Sequence, residues 1–213
     1  DTTAALAALC ITYADGREEW LGTDESWLCT TGAVQFSEIY DGETQDFTAA
    51  PAAPQPAKLF DYGFDTIIGQ ENEPVRCLQK LPVVKEFTTP KGEKVYDFGQ
   101  NLTGWVEVEI YGEPGQKLTL RHAEALDENG NFYTENLSWA KATDTYILSG
   151  GKQILHPHFT WHGFRYLCVE GLQYGQNVQF TACHLSTDLQ QTGSFTCSDA
   201  RVNRLQQNIQ WSQ

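Results

Sequence analysis

The sequence lacks methionine and is poor in basic residues. None of its 213 residues is methionine, the first one included, so we expect a processed or cut chain. Its 14 Lys and Arg residues are outnumbered by 28 Asp and Glu residues, which gives a formal net charge of −14 at pH 7. Because the sequence has no cluster of Lys and Arg, we expect neither nucleic acid nor an anionic membrane surface as a partner.

Long apolar runs and paired cysteines are also missing. No run approaches the roughly 18 to 20 residues of a membrane-spanning helix, and the first residues lack the basic segment of a signal peptide. The six cysteines include no C-x-x-C pair, which argues against a zinc site. Cys168 lies in an apolar stretch, "YLCVEG", where a free thiol behaves as a small hydrophobic group. We therefore expect a reducing, cytoplasmic location, with the periplasm or secretion as the alternative.

A helical period is absent before the C-terminal segment, and signals for short strands recur instead. In "GWVEVEIYGEPGQKLTLRHA", Val106, Val108 and Ile110 alternate with glutamates, and E-P-G then predicts a hairpin turn. This pattern favours an all-β fold of two antiparallel, jelly-roll-like β-sandwich units. The predicted domains are residues 1–76, residues 77–190, and a linker with a helix at residues 191–213.

The C-terminal segment, "CSDARVNRLQQNIQWSQ", has the features of a helix. Ser198 is the predicted N-cap, and Asp199 would lie in the first turn, where the helix dipole favours an anion. Val202, Leu205 and Ile209 recur at helical spacing and form one apolar stripe. Because such a stripe has to be buried, the sequence predicts a packing partner for this helix.

Polar residues continue the inward side of a predicted strand. His122 and Glu124 extend the alternation of two leucines, and polar groups on an inward face need partners. We expect Arg165 as the partner, on a strand that Gly163 could bulge so that the guanidinium turns inward. Together with His162 these residues would form a structural or domain-interface network. The alternative is a ligand-facing role at the rim of the sheet.

Three histidines stand close together in the sequence, shortly before Arg165: His156, His158 and His162. His158 and His162 would point the same way in a strand, but Pro157 separates His156 from His158 and no carboxylate or cysteine stands nearby in the sequence. Hydrogen-bonded or solvent-facing histidines are therefore expected, and no metal site is assigned.

An acidic turn, "EIYDGETQDF", is a candidate for a sugar or calcium contact. Asp41, Glu43 and Asp46 supply oxygens of the kind that calcium or sugar hydroxyls prefer, whereas a solvated acidic turn is the plainer interpretation. Trp139 could stack on the apolar face of a sugar, although aromatic residues more often fill sandwich cores. Apart from this calcium ion, the sequence predicts no cofactor.

No catalytic residue can be assigned. Glycoside hydrolysis needs two carboxylates across a cleft, and no such pair is recognisable among the acidic residues. The nucleophile motif G-x-S-x-G and phosphate-binding loops are absent from the sequence as well.

Several stretches, in order, resemble bacterial α-L-rhamnosidases of glycoside hydrolase family 78. The central ones are "YDFGQNLTGWVEVEIYGEPGQKLTLRHAEALDENG", "NLSWAKATDTYILSGG" and "HPHFTWHGFRYLCVEG". "ITYADG", "TDESW" and "IYDGETQDF" precede them, and "STDLQQTGSFTCSDARVNRLQQNIQWSQ" resembles the family's entry into its catalytic barrel. The set spans nearly the whole chain.

This resemblance implies a fold and a function. The first predicted domain would be the later part of the family's N-terminal β-sandwich domain, and the second its concanavalin-like domain. The terminal helix would be the first of a missing (α/α)6 barrel that supplies the catalytic acid and base. The parent enzyme would hydrolyse terminal α-L-rhamnose from glycosides with inversion, and this chain would be its accessory region, inactive alone. The alternatives are a rhamnose-binding module and a purely structural docking domain.

Overall fold

The computed structural model describes residues 4–60, 63 and 65–213, and the chain forms two compact units. The first unit comprises Asp1–Ala33 and Ala49–Gly69, and the second comprises Val34–Thr48 and Gln70–Gln213. Residues 34–48 thus belong to the second unit, although they precede part of the first in sequence. The predicted domain limits rest on sequence alone and stay a prediction.

The first unit consists of two small antiparallel pairs of strands. A hairpin with a turn at Gly16 joins β1 and β2, while β3 pairs with β6. The strands are β1 (Ala8–Thr12), β2 (Glu18–Gly22), β3 (Leu28–Cys29) and β6 (Gln55–Pro56). None of the described residues of this unit is buried.

The second unit is built on a ten-stranded sheet that curls into a sandwich. Its main path runs β4-β5-β13-β10-β15-β9-β16-β7, and β8 and β14 also pair with β9. The strands are β4 (Val34–Glu38), β5 (Gly42–Asp46), β7 (Val75–Pro82), β8 (Lys85–Thr88), β9 (Lys94–Gly112), β10 (Lys117–Ala123), β13 (Thr143–Ile147), β14 (Gly151–Leu155), β15 (His162–Glu170) and β16 (Val178–Thr187). Two short strands, β11 (Ala125–Leu126) and β12 (Phe132–Tyr133), pair beside it. The all-β class is therefore confirmed, although β5 pairs with β13 in parallel.

The long strand β9 organises this sheet. Its first half pairs with β8 and β15, and its second half pairs with β14 and β16. Gly104 lies where β9 changes partners, because it is opposite both His162 and His184. A Cβ atom at Gly104 would lie 1.9 Å from the carbonyl oxygen of Cys183. Only glycine permits this close approach of the two backbones.

The alternation predicted in β9 is confirmed. Val106, Val108 and Ile110 are buried and the intervening glutamates are not. These residues join a core in which Tyr146 and Phe164 are the largest fully buried aromatics besides Phe98. Because side chains alternate across a strand, the outer face keeps its charge.

The predicted hairpin between β9 and β10 is wrong. The strand β10 pairs with β13 and β15, whereas the second half of β9 pairs with β14 and β16. The turn between them therefore connects two layers rather than neighbouring strands. Both strands bury one apolar face, and those faces meet in the common core.

The predicted C-terminal helix is present as α1 (Ala200–Trp211). Its N-cap is Asp199 and not Ser198, because Asp199 is extended and its carboxylate accepts a hydrogen bond from the backbone N–H of Arg201 at 2.9 Å. An aspartate in this position satisfies one of the free N–H groups of the first turn.

The apolar stripe of α1 is not buried. Val202, Leu205 and Ile209 are all exposed, so the packing partner that the sequence predicts is not found among the described residues. The helix is attached through Trp211 instead. Its indole N–H donates to the carbonyl of Asn101 at 2.7 Å, and its ring stacks on His184 at 4.4 Å.

The six cysteines are free thiols in this structure. Burial raises the pKa of Cys168 to about 11 and that of Cys183 to about 12, so both thiols stay protonated near neutral pH. The cellular location of the protein stays a prediction. No helix among the described residues has the length and hydrophobicity that crossing a membrane requires.

Candidate functional site

Five buried polar side chains meet inside the second unit, and we call them the buried polar cluster. They come from the adjacent strands β5, β13 and β10 and from the start of β15. The members are Glu43, Gln45, His122, Asp144 and His162. Polar groups in this position cost free energy unless each finds a partner, so their contacts determine what the cluster can do.

A glycine brings β5 close enough to form the cluster. Gly42 has φ +108°, and a Cβ atom there would lie 2.0 Å from the carbonyl oxygen of Thr143. This close approach lets the backbone N–H of Glu43 donate to Oδ1 of Asp144 at 3.0 Å.

Both oxygens of the Glu43 carboxylate accept hydrogen bonds. Its Oε1 accepts from the backbone N–H of His158 at 2.9 Å and from the side-chain amide of Gln45 at 2.5 Å. Its Oε2 accepts from the backbone N–H of Phe159 at 3.0 Å. Glu43 therefore fastens the loop before β15 onto β5.

Asp144 and His162 form a buried pair. Nε2 of His162 lies 3.1 and 3.2 Å from the two carboxylate oxygens of Asp144. Burial acts to raise the pKa of Asp144, but the hydrogen bond and charge of His162 outweigh it and hold the pKa below its ordinary value. Asp144 is thus an anion in the interior of the sandwich.

His122 has one satisfied nitrogen and one that has no partner. Nδ1 lies 2.9 Å from the carbonyl oxygen of Ala142 and must donate to it. Complete burial and then the neighbouring His162 lower the pKa of His122 to about 3, so the ring is neutral and Nε2 carries a lone pair. Nε2 has no hydrogen-bond partner and lies 4.0 Å from Oδ2 of Asp144. The His122 ring stacks on His162 at 4.2 Å.

The structure divides the predicted four-residue network into three parts. His122 and His162 do share a site, but Arg165 pairs with Asp97, with Nε to Oδ1 at 2.8 Å and Nη2 to Oδ2 at 2.9 Å. Glu124 is exposed and accepts from the side-chain amide of Asn101 at 3.0 Å. The prediction of one network is therefore wrong.

The local backbone explains this outcome. The strand β10 ends at Ala123, so Glu124 lies in a bend and no longer shares the inward face of His122. The register of β15 against β9 shifts between Phe164 and Tyr166. This bulge lies near the predicted position, but Arg165 turns toward β9 and not toward Glu124.

His156 and His158 do not join His162. The ring of His156 stacks on Trp105 at 5.3 Å, and its Nδ1 lies 2.9 Å from the carbonyl of Pro157. His158 contributes its backbone N–H to Glu43. The three histidines that are neighbours in sequence therefore have separate roles.

The candidate sugar or calcium residues have different partners. Asp41 pairs with Lys141, Asp46 accepts from the backbone and hydroxyl of Thr48, and Glu43 is buried. Trp139 is exposed and packs edge-on against Tyr40 at 4.8 Å. A sugar or calcium contact at this turn stays a prediction.

An open groove lies on the surface of the second unit. It encloses about 550 Å³ and is lined by Trp161 and Trp211 together with Asn101, Glu124 and His184. Aromatic faces beside hydrogen-bonding groups are the combination that carbohydrate sites use. One of these residues, Glu124, is a candidate that the sequence suggested.

Sequence reasoning missed Asp144 and Gln45. In "ATDTYIL" the alternating positions Ala142, Asp144 and Tyr146 are all buried, so this pattern could have shown Asp144 as a polar residue on an inward face. Gln45 follows Glu43 by two positions and shares its face for the same reason.

Two family models match this chain, and both describe domains of one kind of enzyme. Residues 1–76 match the α-L-rhamnosidase N-terminal domain, and residues 87–186 match the bacterial α-L-rhamnosidase concanavalin-like domain. An α-L-rhamnosidase of Streptomyces avermitilis is 36% identical over 99% of this chain, and one of Formosa agariphila is 30% identical over 96%. The chain spans 22% and 23% of the lengths of those two proteins.

Solved structures show the same similarity. The α-L-rhamnosidase of Aspergillus terreus superposes with a TM-score of 0.85 at 33% identity, over 97% of this chain and 26% of that one. The Streptomyces avermitilis α-L-rhamnosidase, crystallised with L-rhamnose, gives a TM-score of 0.82 at 33% identity, over 98% of this chain and 22% of that one.

Proposed function

The chain belongs to the bacterial α-L-rhamnosidase family, and from that premise we propose that it is the accessory β-sandwich region of an enzyme that hydrolyses terminal α-L-rhamnose from glycosides. In this role it works with an (α/α)6 catalytic domain and carries out no catalytic step of its own. The substrate of the whole enzyme is a rhamnose-containing glycoside.

The observation that carries this proposal is the order of the matched domains. The match to the N-terminal domain is followed directly along the chain by the match to the concanavalin-like domain, and the chain spans only 22% of the first relative's length. The buried polar cluster supports an accessory role, because its carboxylates are buried and engaged in hydrogen bonds. A glycosidase needs two carboxyl groups that reach a sugar in a cleft.

Hydrolysis of p-nitrophenyl α-L-rhamnoside tests this role. We expect the purified 213-residue chain to release no p-nitrophenol above the buffer rate, because a placed proton donor and base are needed for the reaction. The full-length Streptomyces avermitilis relative serves as the positive control. Turnover by the chain that disappears on Asp144→Asn or Glu124→Gln would show that the chain itself is catalytic.

Binding of rhamnose is the second candidate function, and the groove favours it. Trp161 is partly exposed there, beside the carboxylate of Glu124 and the side chain of Asn101. Calorimetric titration with L-rhamnose tests this role, with Trp161→Ala as the variant and Trp139→Ala as the control outside the groove. A binding module would lose about tenfold in affinity with Trp161→Ala alone, which corresponds to about 1.4 kcal/mol. Absence of binding by the unmodified chain leaves the purely structural role.

A further inference from the structure

Three potential metal ligands meet in the buried polar cluster. One ligand atom from each of His122, Asp144 and His162 lies within 4.8 Å of the others. Zinc bonds of about 2.0 to 2.2 Å to nitrogen and oxygen place tetrahedral ligands roughly 3.3 Å apart. Nε2 of His162 is already 3.1 and 3.2 Å from the Asp144 oxygens, and Nε2 of His122 is 4.0 Å from Oδ2. The His122 side chain therefore has to move toward Asp144 and His162 to bring the three atoms to that spacing.

The unpartnered nitrogen of His122 faces the centre of this group. Its lone pair has no donor, and the closest charged atom is another acceptor, Oδ2 of Asp144. Two hydrogen-bond acceptors that face each other in the protein interior are unfavourable unless an electron-poor group, such as a cation, lies between them. The N–H of Nδ1 donates to the carbonyl of Ala142, and a contact of this kind fixes the orientation of a metal-binding histidine.

The charges of the cluster point in the same direction. The carboxylates of Glu43 and Asp144 are both buried. Among the described residues, neither has an ion pair with a lysine or an arginine, and the partners of Glu43 are neutral amides. A buried carboxylate is costly without compensation, and a divalent cation beside Asp144 adds to the compensation that His162 gives it.

We propose that Nε2 of His122, a carboxylate oxygen of Asp144 and Nε2 of His162 bind one divalent transition-metal ion of the zinc type. Two imidazoles and one carboxylate suit zinc better than calcium or magnesium, which prefer oxygen ligands alone. The ion ties β10, β13 and the start of β15 together. The role is structural and is independent of the proposed function.

The spacing in sequence gives no sign of this site. The three ligands come from three separate strands, with 22 and 18 positions between successive members. No metal site was expected from the sequence, because no carboxylate or cysteine stands near His156, His158 and His162 in the chain.

Metal content measures the proposal directly. The 213-residue chain is unfolded in denaturant with a chelator and refolded with Zn²⁺ or without metal, since a buried site is filled during folding. After desalting, we expect one zinc per chain by elemental mass spectrometry and a higher melting temperature for the zinc-refolded sample. His122→Gln should lose most of the zinc, with affinity reduced at least about tenfold. His184→Gln, which changes a histidine outside the cluster, should keep it.

Cobalt provides a measurement that does not need a folded variant. Unmodified chain refolded with Co²⁺ should show the intense visible absorption of a tetrahedral site and shifted proton resonances from two histidine rings. An unmodified chain that takes up no zinc and shows no cobalt spectrum would overturn the proposal, leaving a hydrogen-bonded cluster. Zinc retained equally by His122→Gln and His184→Gln would mark the ion as adventitious and overturn it too.

Discussion

At the scale of single residues, Asp97 and Arg165 form a two-contact ion pair outside the buried polar cluster. The guanidinium contacts both carboxylate oxygens, and the backbone N–H of Gly99 donates to Oδ1 at 2.6 Å. Burial acts to raise the pKa of Asp97, but Arg165 and Gly99 together lower it below its ordinary value. Bidentate charge-assisted contacts of this kind are the stronger hydrogen bonds.

Removing Arg165 should therefore destabilise the second unit. The Asp97 side chain is 11% exposed and the Arg165 side chain 39%, so solvent reduces the cost below that of a fully buried pair. We expect Arg165→Ala to lower the free energy of unfolding by about 1 to 2 kcal/mol at pH 7, measured by urea denaturation. Arg76→Ala, which breaks the exposed pair with Asp188, should change it by less than about 0.5 kcal/mol.

The pH dependence of this loss of stability tests whether the Asp97–Arg165 pair causes it. Because the folded pKa of Asp97 lies below its unfolded value, its contribution is present above the unfolded pKa and is lost as the pH falls through the folded pKa. The difference between the unmodified chain and Arg165→Ala should therefore shrink as the pH falls below about 4. A difference that stays constant down to pH 2 would mean that lost packing, rather than the charge pair, explains the effect.

The sequence predicted which polar residues are buried better than it predicted their partners. His122 and His162 were predicted to belong together, and they do. Arg165 was assigned to Glu124 because both were placed on inward faces, but the partner is Asp97, 68 positions away. Strand periodicity fixes the face of a residue, whereas the partner depends on which strands are neighbours in the sheet.

At the scale of elements, β9 shows why the inward face of a strand is easier to predict than its pairing. Its alternation is evident in the sequence, and so is the turn that follows it. Which strand lies beside β9 depends on contacts distant in the chain, with β15 and β16 on either side of it. The E-P-G turn suits a hairpin and a crossing between layers equally well, so the local signal could not distinguish them.

Gly104 gives an element-scale prediction. A methyl group there would collide with the carbonyl of Cys183, where β9 lies between β15 and β16. Since backbone atoms cannot move aside cheaply, we expect Gly104→Ala to lower the free energy of unfolding by about 2 kcal/mol or more. Gly193→Ala is the matched control, because a Cβ atom at Gly193 has no neighbour within 4 Å. Equal stability of the two variants in thermal unfolding would show that the backbones at Gly104 are not in such close contact.

At the scale of the whole molecule, the buried residues are unevenly distributed. All the buried residues that the structure describes lie in the second unit. There the strands β9, β10, β13 and β15 share one core. In the first unit, large apolar side chains such as Trp20 and Leu28 are exposed. An isolated pair of strands without a buried face is marginally stable in water, so this chain should not unfold in a single uniform transition.

The two units should therefore differ in local stability. Backbone amides of β1 and β2 should exchange hydrogen within seconds to minutes, whereas those in the centre of β9 should exchange only through global unfolding.

Substitution of one aromatic residue in each unit measures how much that residue contributes to the free energy of unfolding. Trp20, at 66% exposed, should contribute little to the main unfolding transition, and Trp20→Ala should shift it by less than about 0.5 kcal/mol. Phe164 is fully buried in the core, so Phe164→Ala should cost about 3 to 5 kcal/mol. Denaturation followed by circular dichroism measures both changes. If Trp20→Ala costs as much as Phe164→Ala, the first unit has a packed core in solution and unfolds together with the second.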